Sequence, residues 1–158
     1  MRVNHRQLVH RRDNVTDLAG TLANVPLFEG LDRKTIRQLA EHAKPRTYAP
    51  GERIVAEDAP ASAFYVVLRG KVKVERGHDN PLQWIGELGP GDFFGEMALL
   101  EEHPRTATVT AVDETDCVLF VAWEFTAMLK EYPRIALPIL MEILGRIHRR
   151  EHHLEAQS

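Results

Sequence analysis

Two residues of opposite charge, Glu96 and Arg105, mark the stretch of this chain whose side chains are best suited to chemistry. Glu96 belongs to Phe94-Gly95-Glu96-Met97-Ala98-Leu99-Leu100, which reads as the glycine-led start of a short apolar helix. Arg105 belongs to His103-Pro104-Arg105-Thr106-Ala107-Thr108-Val109 and opens an alternating strand. A helix start offers unpaired backbone N–H groups to an anion, and a guanidinium adds a planar fork of donors. Next to a bound anion a carboxylate is useful only as an acceptor for a neighbouring hydroxyl, because it repels the anion itself.

A ligand that meets both demands carries a phosphate and a sugar hydroxyl close together, as a cyclic nucleotide does. Arg105 would meet the two exocyclic phosphate oxygens with parallel charge-assisted bonds, and the amides around Ala98, Thr106 and Ala107 would add donors. Glu96 would accept from the ribose 2′-hydroxyl and so discriminate against deoxy analogues. Taken singly, Phe-Gly-Glu is a common tripeptide and an arginine after proline is usually a surface turn. Their combination between the Gly89-Pro90-Gly91-Asp92 turn and a strand carries the reading.

The elements that must position these residues are legible from periodicity. A helical signal spans Thr16 to Asn24. Asp32 can cap a second helix with apolar positions Ile36, Leu39 and Ala43, and the bend Val25 to Leu31 between the two is apolar. From Arg46 the period falls to two. Short strands are predicted over Arg46–Ala49, Arg53–Ala56, Ala63–Leu68, Lys71–Glu75, Leu82–Leu88, Thr106–Val112 and Cys117–Val121, separated by glycine and proline turns. Many short strands joined by such turns indicate a closed antiparallel roll rather than a parallel sheet. Helical periodicity returns over Trp123–Glu131, and from Pro133 to about His152. Ala136, Leu140, Ile143 and Ile147 form one stripe of that last helix, and Leu137, Met141 and Leu144 form another. Together they are wider than one core contact requires, which predicts a homodimer through the C-terminal helix. Pro138 is expected to bend this helix near its beginning.

The bulk properties exclude several classes. The chain has 158 residues, enough for one well-packed domain, with 20 Lys and Arg against 23 Asp and Glu and a net charge of −3. That balance argues against a nucleic-acid partner, although Arg2, Arg6, Arg11 and Arg12 and, at the other end, Arg146, Arg149 and Arg150 form local basic clusters. The single cysteine, Cys117, lies in an apolar strand and is expected to be buried and inert. No apolar run approaches a membrane span and no signal peptide is present, so no membrane partner is expected and the reading is cytoplasmic. A metal-dependent, cupin-like enzyme would need histidines converging inside the roll, and the strands read here contain none. No metal, cofactor or enzymatic activity is therefore expected. A degenerate roll serving only as an interaction scaffold is the other alternative, and the presence of both Glu96 and Arg105 speaks against it.

The same residues resemble the phosphate-binding cassette of the cyclic nucleotide-binding domain family, shared by catabolite activator proteins, cyclic-nucleotide-dependent kinases and gated channels. Phe-Gly-Glu, a short apolar helix and Pro-Arg-(small)-Ala-Thr-Val are matched in order, and the resemblance runs from about Pro26 to Arg150. It includes Gly51-Glu52-Arg53-Ile54 and Phe64-Tyr65-Val66-Val67-Leu68-Arg69-Gly70. It implies an antiparallel, jelly-roll-like β-roll with N-terminal helices and two C-terminal helices. By that resemblance Glu96 is the ribose-binding acid and Arg105 the phosphate-binding base. Phe94, Gly95, Met97 and Ala98 form the cassette helix start, and Thr106 and Ala107 stand next to the phosphate and base. Leu140, Met141 and Leu144 are candidates for the apolar cover over the base. Thr106 suits either cGMP or cAMP, and the reading favours cAMP.

The implied organisation is an N-terminal helical segment (1–24), the roll (25–122) with its cassette at 93–108, C-terminal lid or dimerisation helices (123–152), and a tail (153–158). Glu57-Asp58-Ala59-Pro60-Ala61-Ser62 departs from the glycine-containing turn usual in the family after the second strand. Catabolite-activator relatives continue into a winged helix-turn-helix, for which this sequence leaves no room. The expectation is a sensor domain that signals to a protein partner through its last helices.

Overall fold

The computed structural model describes residues 17–56, 62–76, 83–95 and 107–156. They form two compact units, one of residues 42–126 and one in which the described residues up to Glu41 join those from Ala127 onward.

The 42–126 unit is a β-roll of β1 (Lys44–Tyr48), β2 (Arg53–Val55), β3 (Ala63–Arg69), β4 (Val72–Arg76), β5 (Gln83–Leu88), β6 (Phe93–Phe94), β7 (Thr108–Ala111) and β8 (Thr115–Val121). Two four-stranded sheets face each other, in the orders β1-β8-β3-β6 and β2-β7-β4-β5. Every pairing is antiparallel. The chain passes repeatedly from one sheet to the other, so each sheet has an inner face turned to its partner. The alternation of Val72-Lys73-Val74-Glu75 shows why: the valines are buried, while Lys73 pairs with Glu75 at 3.0 Å on the outside.

The inner faces meet in one apolar cluster: Tyr48, Val67, Phe94 and Cys117 from the first sheet, and Val72, Val74, Val109 and Ala111 from the second. Ile54, Val55, Tyr65, Leu88 and Ala107 pack around them. Cys117 is buried there as a free thiol, and burial followed by the nearby Asp116 charge pushes it up to about 12. The outer face of the first sheet carries Phe64, Val66, Phe93, Val118 and Phe120. Phe125 stacks on Phe64 at 5.4 Å and lies 5.3 Å from Phe120, which docks the first turn of α3 (Ala122–Glu131) on that face.

Strand ends are held by specific bonds. Gly51 N–H donates to Ala111 O at 2.7 Å and Ala111 N–H to Glu52 O at 2.9 Å, clamping the β1–β2 turn to β7. Gly70, at φ 92°, lies so close to the β7–β8 turn that a Cβ would fall 2.4 Å from Glu114 O and 2.6 Å from Thr115 Oγ1. Thr115 is fully buried, and its hydroxyl accepts from Lys71 N–H at 3.3 Å while lying 2.9 Å from Asp113 O and 3.1 Å from Lys71 O. Each polar atom of that crossing is thereby satisfied.

On the outside, Asp116 accepts from the Thr47 hydroxyl at 2.7 Å and from Arg69 Nε at 2.8 Å, and Arg69 also reaches Glu114 at 2.8 Å. The Thr47 bond first, then Arg69, holds the Asp116 carboxyl below the usual aspartate range. A depressed carboxylate adds stability above its unfolded value of about 3.9 and loses it as pH falls through the lower folded value. Asp116→Asn is therefore expected to be slightly less stable than the wild type at neutral pH, with the gap closing below about pH 4. Urea unfolding across that range checks it, and a gap independent of pH would remove the carboxylate as its source.

The helical unit contains α1 (residues 17–23), a 3₁₀ turn at Pro26–Phe28, α2 (Arg33–His42, up to its last residue) and α4 (Pro133–Ala156). Asp32 caps α2 through its carboxylate to Thr35 N–H at 2.8 Å. Ile36, Leu39 and Ala40 are its buried positions. Leu27 and Phe28 are buried and their turn packs against α4. Gln38 Nε2 donates to the Tyr132 hydroxyl at 2.8 Å. The helix α4 runs on to Ala156, beyond the 152 boundary read from sequence, because no Pro or Gly interrupts Arg150–Ala156. It contains Pro138. Its buried positions are Ile139 and Ile143, while Leu137, Leu140, Met141 and Leu144 are exposed. Leu140 therefore stands with the second stripe, not with the first as the heptad-like reading had it. Among the described residues no helix is long and apolar enough to cross a membrane.

Candidate functional site

The Gly89–Asp92 turn prepares the site. Asp92 Oδ2 accepts from Gly89 N–H at 2.9 Å, Gly91 N–H donates to Val67 O and Val67 N–H to Asp92 O, both at 2.8 Å. These bonds hold the two-residue strand β6 against the bulged end of β3, where Phe94 pairs with Tyr65 and Phe93 with Val66. The rings of Tyr65 and Phe94 stack almost in parallel, 4.8 Å apart at 5°. Phe94 is thus immobilised on its ring face, and it is 4% exposed.

Gly95 follows at φ 83°. That left-handed turn, open to glycine and strained for other residues, takes the chain out of the first sheet. The chain is next described at Ala107, which packs on the inner cluster and leads into β7 of the second sheet. Of the residues read as the site, Phe94, Gly95 and Ala107 thus converge on one end of the roll interior. Glu96, Met97, Ala98, Arg105 and Thr106 lie outside the described residues.

The wall between these two ends is apolar. Val55, Val109, Val74 and Gly86 align across β2, β7, β4 and β5, and Ala111, Val72 and Leu88 align in the next inner row. Tyr48 closes the interior beyond them, and burial followed by the Tyr65 ring raises its hydroxyl, which keeps it neutral. No carboxylate or cation belongs to this inner cluster among the described residues. Such a wall suits the uncharged, flat part of a ligand, and any charge on that ligand must be met from the segment joining Gly95 to Ala107. Among the described residues there is also no group of three or more His, Cys, Asp or Glu able to hold a metal.

The sequence reading missed Tyr65 and Gly86. Tyr65 is the inward partner of Phe94, and its signal was the aromatic pair Phe64-Tyr65 in an otherwise aliphatic strand. Gly86 interrupts the apolar run of β5, a pattern that often marks a bulge or a close approach. Leu140, Met141 and Leu144, read as a base cover, are exposed side chains of α4 in the helical unit.

Comparison with known proteins agrees with this architecture. Residues 45–132 match the family described as the cyclic nucleotide-binding domain. A protein of Rhodopseudomonas palustris named for a potassium channel is 33% identical over 143 residues, 90% of this chain and 34% of its own length. The CRP-like cAMP-activated global transcriptional regulator of Mycobacterium tuberculosis is 27% identical over 134 residues, covering 84% of this chain and 60% of its own. The crystal structure of the Thermus thermophilus catabolite activator protein superposes with a TM-score of 0.74 at 28% identity, covering 84% of this chain and 62% of that one. The chain thus spans between about a third and three fifths of the proteins it matches. An antiparallel roll with flanking helices, an apolar interior between Gly95 and Ala107, and this match over residues 45–132 lead to one assignment: the chain belongs to the cyclic nucleotide-binding domain family.

Proposed function

We propose that the chain is a regulatory module that binds cAMP in preference to cGMP inside the roll and reports occupancy through α3 and α4. The observation that carries this reading is the entry and exit of the Glu96–Thr106 segment, at Gly95 and Ala107, on an uncharged inner wall. Glu96 accepts from the ribose 2′-hydroxyl and Arg105 pairs with the cyclic phosphate. Phe94, Gly95, Met97 and Ala98 shape the turn beneath the ligand, and Thr106 and Ala107 border the base. The preference for cAMP is supported by the printed function of the mycobacterial relative, a cAMP-activated regulator.

The exposed stripe Leu137, Leu140, Met141 and Leu144 is the surface through which the signal leaves, most simply to a second copy of the chain. A ligand can drive such an output only by its differential affinity for two arrangements of the helices. Calorimetric titration with cAMP and cGMP tests the binding, with the tighter constant expected for cAMP. Amide exchange over residues 123–150, with and without cAMP, tests the output. Identical protection would leave binding without a switch, and failure of both nucleotides to bind would favour the scaffold alternative.

A further inference from the structure

The row Val55, Val109, Val74 and Gly86 crosses all four strands of the second sheet. Three β-branched side chains fill it and the fourth position has none. Alternation along β5 turns residue 86 inward: Glu87 is outside, paired with Lys71 at 3.3 Å, while Leu88 packs on the inner cluster. A Cβ at Gly86 would have no heavy atom within 4 Å. The wall therefore has a notch that no neighbour has closed.

The backbone explains part of this. Val74 pairs with Gly86 but Glu75 pairs with Trp84, so Ile85 is the extra residue of a bulge, and Gly86 adopts φ 144°. A bulge accounts for glycine at this place. It does not account for the vacant volume, since protein interiors close-pack and an unfilled wall forfeits its contacts.

We infer that the notch at Gly86 receives a substituent on the base of the bound nucleotide, so that the roll admits ring-modified cyclic adenine nucleotides that a side chain would exclude. This rests on the reading that the roll binds a cyclic nucleotide. The phosphate and ribose are matched by the charged residues between Gly95 and Ala107, which leaves the uncharged base for the apolar row. A group projecting from that base regains the contacts the notch lacks.

The test is calorimetric titration of the whole chain with cAMP and with cAMP carrying a bulky apolar group at C2, N6 or C8. The proteins compared are the wild type, Gly86→Ala and Val74→Ile. Gly86→Ala fills the notch but strains the backbone. Val74→Ile extends one carbon from the opposite strand with no such strain, and decides the matter if the first variant fails to fold. The wild type is expected to bind at least one modified nucleotide within about tenfold of cAMP, and each folded variant to lower that analogue's affinity relative to cAMP by about tenfold or more. Equal weakening of cAMP and analogue, or rejection of every analogue by a wild type that binds cAMP, would overturn the notch alone. Absence of any cyclic-nucleotide binding would overturn the parent reading and this one with it.

Discussion

Arg105→Ala is expected to weaken cAMP binding by about 30-fold to a few thousand-fold, the equivalent of the roughly 2–5 kcal/mol lost when a desolvated charge is left without its partner. The size of the effect follows from the surroundings. The interior cluster of the roll contains no cation among the described residues, and its rows are valine, alanine, leucine and glycine. A phosphodiester brought to this wall leaves water, and the wall has nothing to replace it with. The compensation has to come from the segment between Gly95 and Ala107, where Arg105 is the one arginine in the sequence. Arg105→Lys keeps the charge but loses the planar fork, so it should recover only part of the affinity. Calorimetry with the wild type and both variants makes the comparison, and an unchanged constant for Arg105→Ala would remove the arginine from the site.

Gly70→Ala is expected to cost stability heavily, by about 2–6 kcal/mol, combining left-handed strain with overpacking. A Cβ there meets Glu114 O at 2.4 Å and the Thr115 Cα at 2.8 Å, and both are backbone atoms that cannot swing aside. Pushing them away also disturbs the buried Thr115 hydroxyl and its bonds to Lys71. Gly51 supplies the control. It has a similar φ of 84° but open space around a Cβ, so Gly51→Ala carries only the conformational strain of about 1–3 kcal/mol. Urea unfolding of both variants separates the two contributions, and equal losses would show that the crossing at Gly70 adds nothing.

Most of the roll was legible because its strands alternate, and the departures have local causes. β1 begins at Lys44, ahead of a proline that appeared to end it. As an edge strand it pairs only with β8, so Pro45 removes a donor that the sheet does not need. β8 begins at Thr115 rather than Cys117, because Asp116 is an outward strand residue held by Thr47 and Arg69 and not a turn. β6 is two residues long, too short for any period, and exists because the Gly89–Asp92 turn presents it to β3. On α4 the buried pair is Ile139 and Ile143, one position away from the stripe through Leu140, a rotation of about 100° on a helix. The site was legible for a different reason. Glu96 and Arg105 were found by residue type and spacing, whereas the wall behind them, with Tyr65 and Gly86, depends on cross-strand register that no linear pattern encodes.

The pairing of β1 with β8 joins the first strand of the roll to its last, Lys44 to Leu119 and Tyr48 to Thr115. β8 also lies between β1 and β3, so the first sheet is not continuous until residue 121 has been made. Closure over such a separation is slow compared with hairpin formation. On the ribosome, a nascent chain that has already exposed Glu96 and Arg105 still lacks the strand that completes the barrel wall. Ligand capture must therefore wait for synthesis to pass β8, and since Ala122 opens α3 directly after Val121, the signalling helices begin to emerge at the moment the receptor becomes competent.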